Sequence, residues 1–240
     1  MTISSKIKII AFDADDTLWV NEPYYRDTEK AFYRLLKDYL PEDKVSQMLL
    51  ETESINIKMY GYGVKGFVLS MIETALKITD NKADNKIINQ IIDLGKALIY
   101  PPMVLIDGVK ETLQELSKKG LNLVLATKGD LLDQERKLKK SGLAKCFHHI
   151  EIMSNKTKAD YEVLIERLEI LPEEFLMIGN SIKSEILPVL ALGSYAIHIP
   201  YHTTWAHENV TNTAQNHQRF FEIKSIRELL SVKNLNRAAF

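Results

Sequence analysis

Residues 6–18 read Lys-Ile-Lys-Ile-Ile-Ala-Phe-Asp-Ala-Asp-Asp-Thr-Leu, an apolar, β-branched run that stops abruptly in three carboxylates and a hydroxyl. A short continuous run of this kind is the pattern of a strand buried on both faces, as in the interior of a parallel sheet, and here it delivers acids to its own end. Asp13 and Asp15 are two apart, so in extended chain their carboxylates point the same way. Two anions side by side repel by up to a few kcal/mol. A divalent cation between them, or a proton on one of them, relieves that repulsion, and both solutions are catalytic arrangements. An acidic turn after a strand is the plain alternative, since Asp is common in turns.

The rest of the chain determines which sheet that strand belongs to. Between Leu18 and Tyr100 the apolar residues recur at helical spacing, as in Phe32, Leu35, Leu36 and Tyr39, and again in Val64, Phe67, Val68, Met71 and Ile72. About four amphipathic helices follow one another with no strand pattern between them. From Asp107 onward the pattern alternates. Asp107 is expected to cap a helix, Leu121 to Ala126 to be a strand, and Thr157 with Asp160 to form a capping box. Phe147 to Met153, Phe175 to Ile178 and Tyr195 to Ile199 are further strands. Such alternation predicts an α/β fold, a doubly wound parallel sheet, with residues 1–19 and 101–240 as its core and residues 20–100 as an inserted all-helical domain bounded near Pro23 and Pro101. Sheets of this class bind ligands beyond the carboxyl ends of their strands.

Composition narrows the function. With 240 residues, 45% hydrophobic, 26% charged and a formal net charge of -1, nothing in the chain suggests binding to nucleic acid or to a membrane surface. The single cysteine, Cys146, excludes a disulfide within the chain, and no signal peptide or membrane span is legible, so a cytoplasmic location is expected.

The strand ends carry the chemistry. Asp13-Ala14-Asp15-Asp16-Thr17-Leu18 resembles the first motif of the haloacid dehalogenase-like hydrolase superfamily, Asp-x-Asp-Gly/Asp-Thr after an N-terminal hydrophobic strand. The dehalogenase branch typically lacks the second aspartate, so Asp15 points to the phosphatase branch. Thr127-Lys128-Gly129 resembles the second motif, whose hydroxyl and following backbone N–H hold a phosphoryl group, with Lys128 a further substrate contact. Lys156 matches the third-motif lysine and Lys158 is its rival; Lys156 stands just outside the helix that Thr157 caps. Gly179-Asn180-Ser181 followed by Glu185 resembles the metal-binding fourth motif, with an amide where that motif usually has its first acid.

The resemblance implies a Rossmann-like core with a helical cap over a small phosphorylated metabolite. It implies Asp13 as nucleophile, Asp15 as acid and base, Thr127 and Lys156 as phosphoryl contacts, and Mg²⁺ held by Asp13, Asp15, Asn180 and Glu185. Three other features read more plainly. His198, His202 and His207 do not form a helical metal site because Pro200 breaks the helix, although His202, just past a strand end, is a candidate substrate contact. Gly61 to Gly66 reads as a cap turn in which Lys65 is either solvated or reaches an anionic substrate. Glu135 to Lys140 reads as a solvated helix face. A phosphomutase would use the same residues, and a non-catalytic phosphate-binding protein would explain Asn180.

Overall fold

The structure, a computed structural model, describes residues 3–208, 210, 211, 213–233 and 235. The chain runs β1 (Ile9–Phe12), α1 (Glu22–Leu35), α2 (Glu42–Tyr60), α3 (Val64–Ile78), α4 (Asn85–Ile99), α5 (Val109–Lys118), β2 (Asn122–Lys128), α6 (Leu131–Ser141) and β3 (His149–Met153). It continues through α7 (Lys158–Arg167), β4 (Phe175–Gly179), a π-helical turn (Ile182–Ile186), α8 (Leu187–Leu190), β5 (Tyr195–His198) and β6 (Phe220–Glu222). The six strands form one sheet in the order β3-β2-β1-β4-β5-β6, with every neighbouring pair parallel. This is the expected α/β fold.

Side-chain alternation explains how the sheet is covered. Ile10 and Phe12 of β1 lie with Leu123, Leu125, Leu176, Ile178 and Ile197 against Val109, Leu113 and Leu116 of α5. Ile9 and Ala11 turn the other way and join Val124, Ala126, Phe175, Met177 and Ala196 against Tyr161, Leu164 and Ile165 of α7. A strand between two apolar layers has no polar face to alternate, which is why β1 reads as a continuous apolar run. No helix among the described residues is long and apolar enough to cross a membrane.

The described chain divides into two compact units. One holds the sheet and comprises the chain up to Val20, Met103–Lys128 and everything from Gln134; the other comprises Asn21–Pro102 with Gly129–Asp133. The second unit is the helical insertion after β1, and its own core gathers Phe32, Leu36, Val45, Leu49, Phe67, Met71 and Ile91. Within it Lys65 pairs with Asp130 at 2.8 Å.

Pro23 sits in the first turn of α1, two residues after the helical unit begins at Asn21, where its missing N–H is no loss. Two local features differ from the sequence reading. Asp107 does not cap α5, whose N-cap is Gly108. Its carboxylate instead takes Arg227 Nη2 at 2.8 Å and Nε at 3.2 Å, because a forked guanidinium offers a stronger, charge-assisted partner than a backbone N–H. β6 was not anticipated, since a three-residue strand spans too little of the two-residue period to register in a sequence.

One contact makes the helical unit testable. A Cβ built on Gly95 of α4 would come within 2.2 Å of Val68 Cγ2 on α3, so the two helices approach as closely as they do only because position 95 has no side chain. Gly95→Ala should lower stability by about 1–3 kcal/mol through overpacking. Val68→Ala in the same protein should recover most of that loss in urea unfolding, whereas an unrepaired double variant would place the strain elsewhere.

Candidate active site

Phe12 pairs with Leu125 on one side and Ile178 on the other. The residues that follow, Asp13 after β1, Thr127 and Lys128 at the end of β2, and Asn180 after β4, therefore leave the sheet from one edge. The chain runs outward from β1 to β3 on one side and then returns to place β4 on the other. The β1/β4 neighbourhood is thus a topological switch point, where the flanking loops part and leave a crevice.

Asp13 is buried, and its backbone N–H is held by Ile178 O at 2.9 Å. Its Oδ1 is in close contact with Lys156 Nζ, and its Oδ2 faces the Thr17 hydroxyl at 3.1 Å. Lys156 stands just before α7, where Thr157 and Asp160 form the capping box read from the sequence. Its ammonium also reaches Glu185 Oε1 at 3.0 Å, while Lys158 is exposed. Burial works against the Lys156 charge, but the Asp13 and Glu185 carboxylates outweigh it and raise its pKa. Burial pushes the Glu185 carboxyl up to about 8, with Lys156 opposing and Asp13 adding to the rise. The second Glu185 oxygen accepts Ser181 N–H. Gly179 makes room for all of this, because a Cβ there would lie 2.6 Å from Glu185 Cγ.

Asp15 has a different set of partners. Extended chain ends at Phe12: Leu18 N–H returns to Ala14 O at 2.8 Å and Asp16 has φ 60°. That left-handed conformation is one that Asp tolerates better than most residues, and it matches the Gly/Asp alternative at this place in the motif. The Asp15 carboxylate accordingly shares no partner with Asp13. It accepts Trp19 Nε1–H at 2.7 Å, Gln134 Nε2–H at 2.8 Å and Lys137 Nζ at 3.1 Å on both oxygens. Lys137 is only 8% exposed. The stretch Glu135 to Lys140 is therefore not a uniformly solvated face, since its third residue turns inward to an acid 122 positions away.

Thr127 is buried at the end of β2. Beside it, Lys128 Nζ donates to Ser184 Oγ at 2.8 Å and contacts Glu208. Glu208, from a turn after β5, was missing from the sequence reading. It accepts the Ser184 hydroxyl at 2.7 Å and the Ser181 hydroxyl, so it ties the end of β2 to the loop after β4. Burial would raise the Glu208 carboxyl, but the Lys128 ammonium and the two hydroxyls bring it down to about 2. His198 bridges Asn180 O at 3.1 Å and Glu222 at 2.9 Å, and His202 lies against the Tyr201 ring.

The donor set suits a hard cation. Thr17 Oγ1 lies 3.1 Å from Asp13 Oδ2 and 3.0 Å from Asn180 Oδ1, yet a hydroxyl has one proton to give. Two convergent oxygens thus share one donor, and oxygen ligands of this kind are what Mg²⁺ takes. Among the described residues no group of three or more His, Cys, Asp or Glu side chains forms a ready metal nest. A cation here would draw on the Asn180 amide and on backbone oxygen as well as on carboxylate.

The depressed Glu208 has a consequence for acid stability. A carboxyl whose folded pKa lies below its ordinary value of 4.5 adds stability above that pH and loses it as pH falls toward about 2. Urea midpoints of Glu208→Gln should therefore decline less between pH 4.5 and 2 than those of the unaltered protein. Parallel curves would show that the pairing contributes nothing.

The family described as haloacid dehalogenase-like hydrolase matches residues 7–193. A haloacid dehalogenase-like family hydrolase from Xanthomonas campestris is 35% identical, covers 98% of this chain and 96% of its own, and superposes with a TM-score of 0.84. A predicted phosphoglycolate phosphatase from Haemophilus somnus is 18% identical, with 94% and 97% coverage and a TM-score of 0.63. A Bacillus subtilis HAD-hydrolase whose structure is bound to magnesium is also 18% identical, with 94% and 97% coverage and a TM-score of 0.61. No curated protein matches the chain. The strand order, the helical insertion after β1, the residues gathered at the strand ends and these likenesses have one reading: the chain belongs to the haloacid dehalogenase-like hydrolase family.

Proposed function

We propose that the protein is a phosphatase that hydrolyses small organic phosphate monoesters through an aspartyl-phosphate intermediate. One observation carries the reading: a buried Asp13–Lys156 pair at the end of the central strand, with a second carboxylate, Asp15, two residues further on and held separately. A dehalogenase would need the first acid but has no work for the second. The magnesium-bound relative supports Mg²⁺ as the cofactor.

In this reading Asp13 Oδ attacks phosphorus in line and the ester oxygen leaves. Lys156 and Thr127 hold phosphoryl oxygens, Lys156 as a point charge and Thr127 as a hydroxyl donor. Lys128, paired with Glu208, contributes at the rim rather than as an unpaired cation. Asp15 gives a proton to the leaving alkoxide and then takes one from the water that hydrolyses the acyl phosphate, restoring Asp13. Mg²⁺, held by Asp13, the Asp15 carbonyl, Asn180 and, directly or through water, Glu185, would neutralise charge on the phosphoryl oxygens. The substrate class in this reading is a small phosphorylated metabolite.

The test is phosphate release from p-nitrophenyl phosphate and from an alkyl phosphate, with Mg²⁺ and then with excess chelator. Turnover should require the metal, vanish in Asp13→Asn, and fall about 10² to 10⁴-fold on the alkyl ester in Asp15→Asn. Chloride release from a 2-chloro acid without any phosphate release would replace this reading with the dehalogenase one.

A further inference from the structure

Asp15 is gripped from outside its own turn. Trp19 belongs to the loop that carries Asp15, but Gln134 and Lys137 reach it from α6, three residues apart and so on one face of that helix. Stability alone does not account for either side chain. Gln134 is 4% exposed, and its Oε1 is buried with no hydrogen-bond partner among the described residues, an arrangement that costs stability. Its Nε2 also donates to Lys128 O at 3.3 Å, so the amide is oriented by the end of β2 as well as by Asp15. Lys137 carries an ammonium into a site where it must be largely desolvated, and ion pairs of that kind add little net stability over an apolar pair. What the two residues do achieve is geometric. Together with Trp19 they engage both oxygens of one carboxylate, which leaves it a single rotamer.

We propose that Gln134 and Lys137 are positioning residues of the reaction, holding the Asp15 carboxylate in the orientation from which it serves the leaving group. The proposal rests on the phosphatase reading above. Neither residue touches the reacting atoms; both act through Asp15, so their loss should be felt where Asp15 matters most. An alkoxide needs a proton to leave and a nitrophenolate scarcely does. Removing the grip should therefore slow an alkyl phosphate far more than an aryl one, whereas general damage to the fold would slow both alike.

The experiment compares kcat and KM for ethyl phosphate and p-nitrophenyl phosphate in Lys137→Met, Gln134→Met and each of these combined with Asp15→Asn. Each single variant should lose about 10- to 100-fold in kcat on the alkyl ester, with a loss under about threefold on the aryl ester and KM changed little. In the Asp15→Asn background the same substitutions should have almost no further effect, the non-additivity expected of groups that act as a unit. Should Lys137→Met fail to fold, Gln134→Met makes the same test without altering charge. Equal losses on both esters, or full additivity with Asp15→Asn, would overturn the positioning role while leaving the phosphatase reading standing. Unaltered protein that hydrolyses neither ester would overturn both.

Discussion

The Asp13 carboxylate sits beyond the last apolar residue of the central strand, and a carboxylate there is tolerable only with a cation against it. Lys156 is that cation, and its side chain is fully buried. Much of the neighbouring architecture follows from the need to deliver it. The capping box at Thr157 starts α7 one residue beyond Lys156, Glu185 also takes the ammonium, and Gly179 leaves space for Glu185 to do so. Removing one partner of such a buried pair typically costs about 3–5 kcal/mol because the other is left uncompensated. The ends of the first and third strands and the loop after β4 are thus bound together by electrostatics as well as by sheet hydrogen bonds.

Around this pair the site separates its two aspartates. Their spacing suggested carboxylates on one face, in need of a shared solution. The turn at Ala14 to Leu18 instead gives each its own ammonium, Lys156 from the loop before α7 and Lys137 from α6. Separate counter-charges give two carboxylates two residues apart unlike surroundings, as the proposed division into nucleophile and proton carrier requires. A third pair, Lys128 with Glu208, sits at the end of β2 and closes the loop after β5 onto the loop after β4. Each lysine comes from a different segment, and each is held by carboxylate from another.

What the sequence made legible was whatever depends on short range. The apolar run into Asp13, the helical periodicity of residues 20–100, the Thr157 box and the order of the strand-end motifs are all local, and together they led to the fold. Lys137 was hidden for the opposite reason. Its neighbours Glu135, Arg136, Lys139 and Lys140 make the stretch look uniformly charged, and only the depth at which α6 packs distinguishes the third residue from the rest. Placing it on the helical wheel with Leu138 and Gln134, both buried, was the available signal. Glu208 offered none, because it lies in a turn whose position depends on β5 and on Lys183 holding His207 O. Asp107 was misread by a sound local rule, overridden by an arginine 120 residues away.

The loop after β4 passes into α8 through a π-helical turn at Ile182–Ile186, with Ile186 N–H reaching back five residues to Ser181 O. Pro188, just beyond, has no N–H to return to Ser184, so the tighter α-helical ladder is incomplete at this point. A π turn holds one residue more than an α turn would. In the language of insertions and deletions, that extra residue sets a register between the loop after β4 and the helix that anchors it. Shortening the segment by one would swing Glu185 by roughly a quarter turn away from Lys156. The position of Glu185 against Lys156 therefore depends on the number of residues in this segment as well as on their identity.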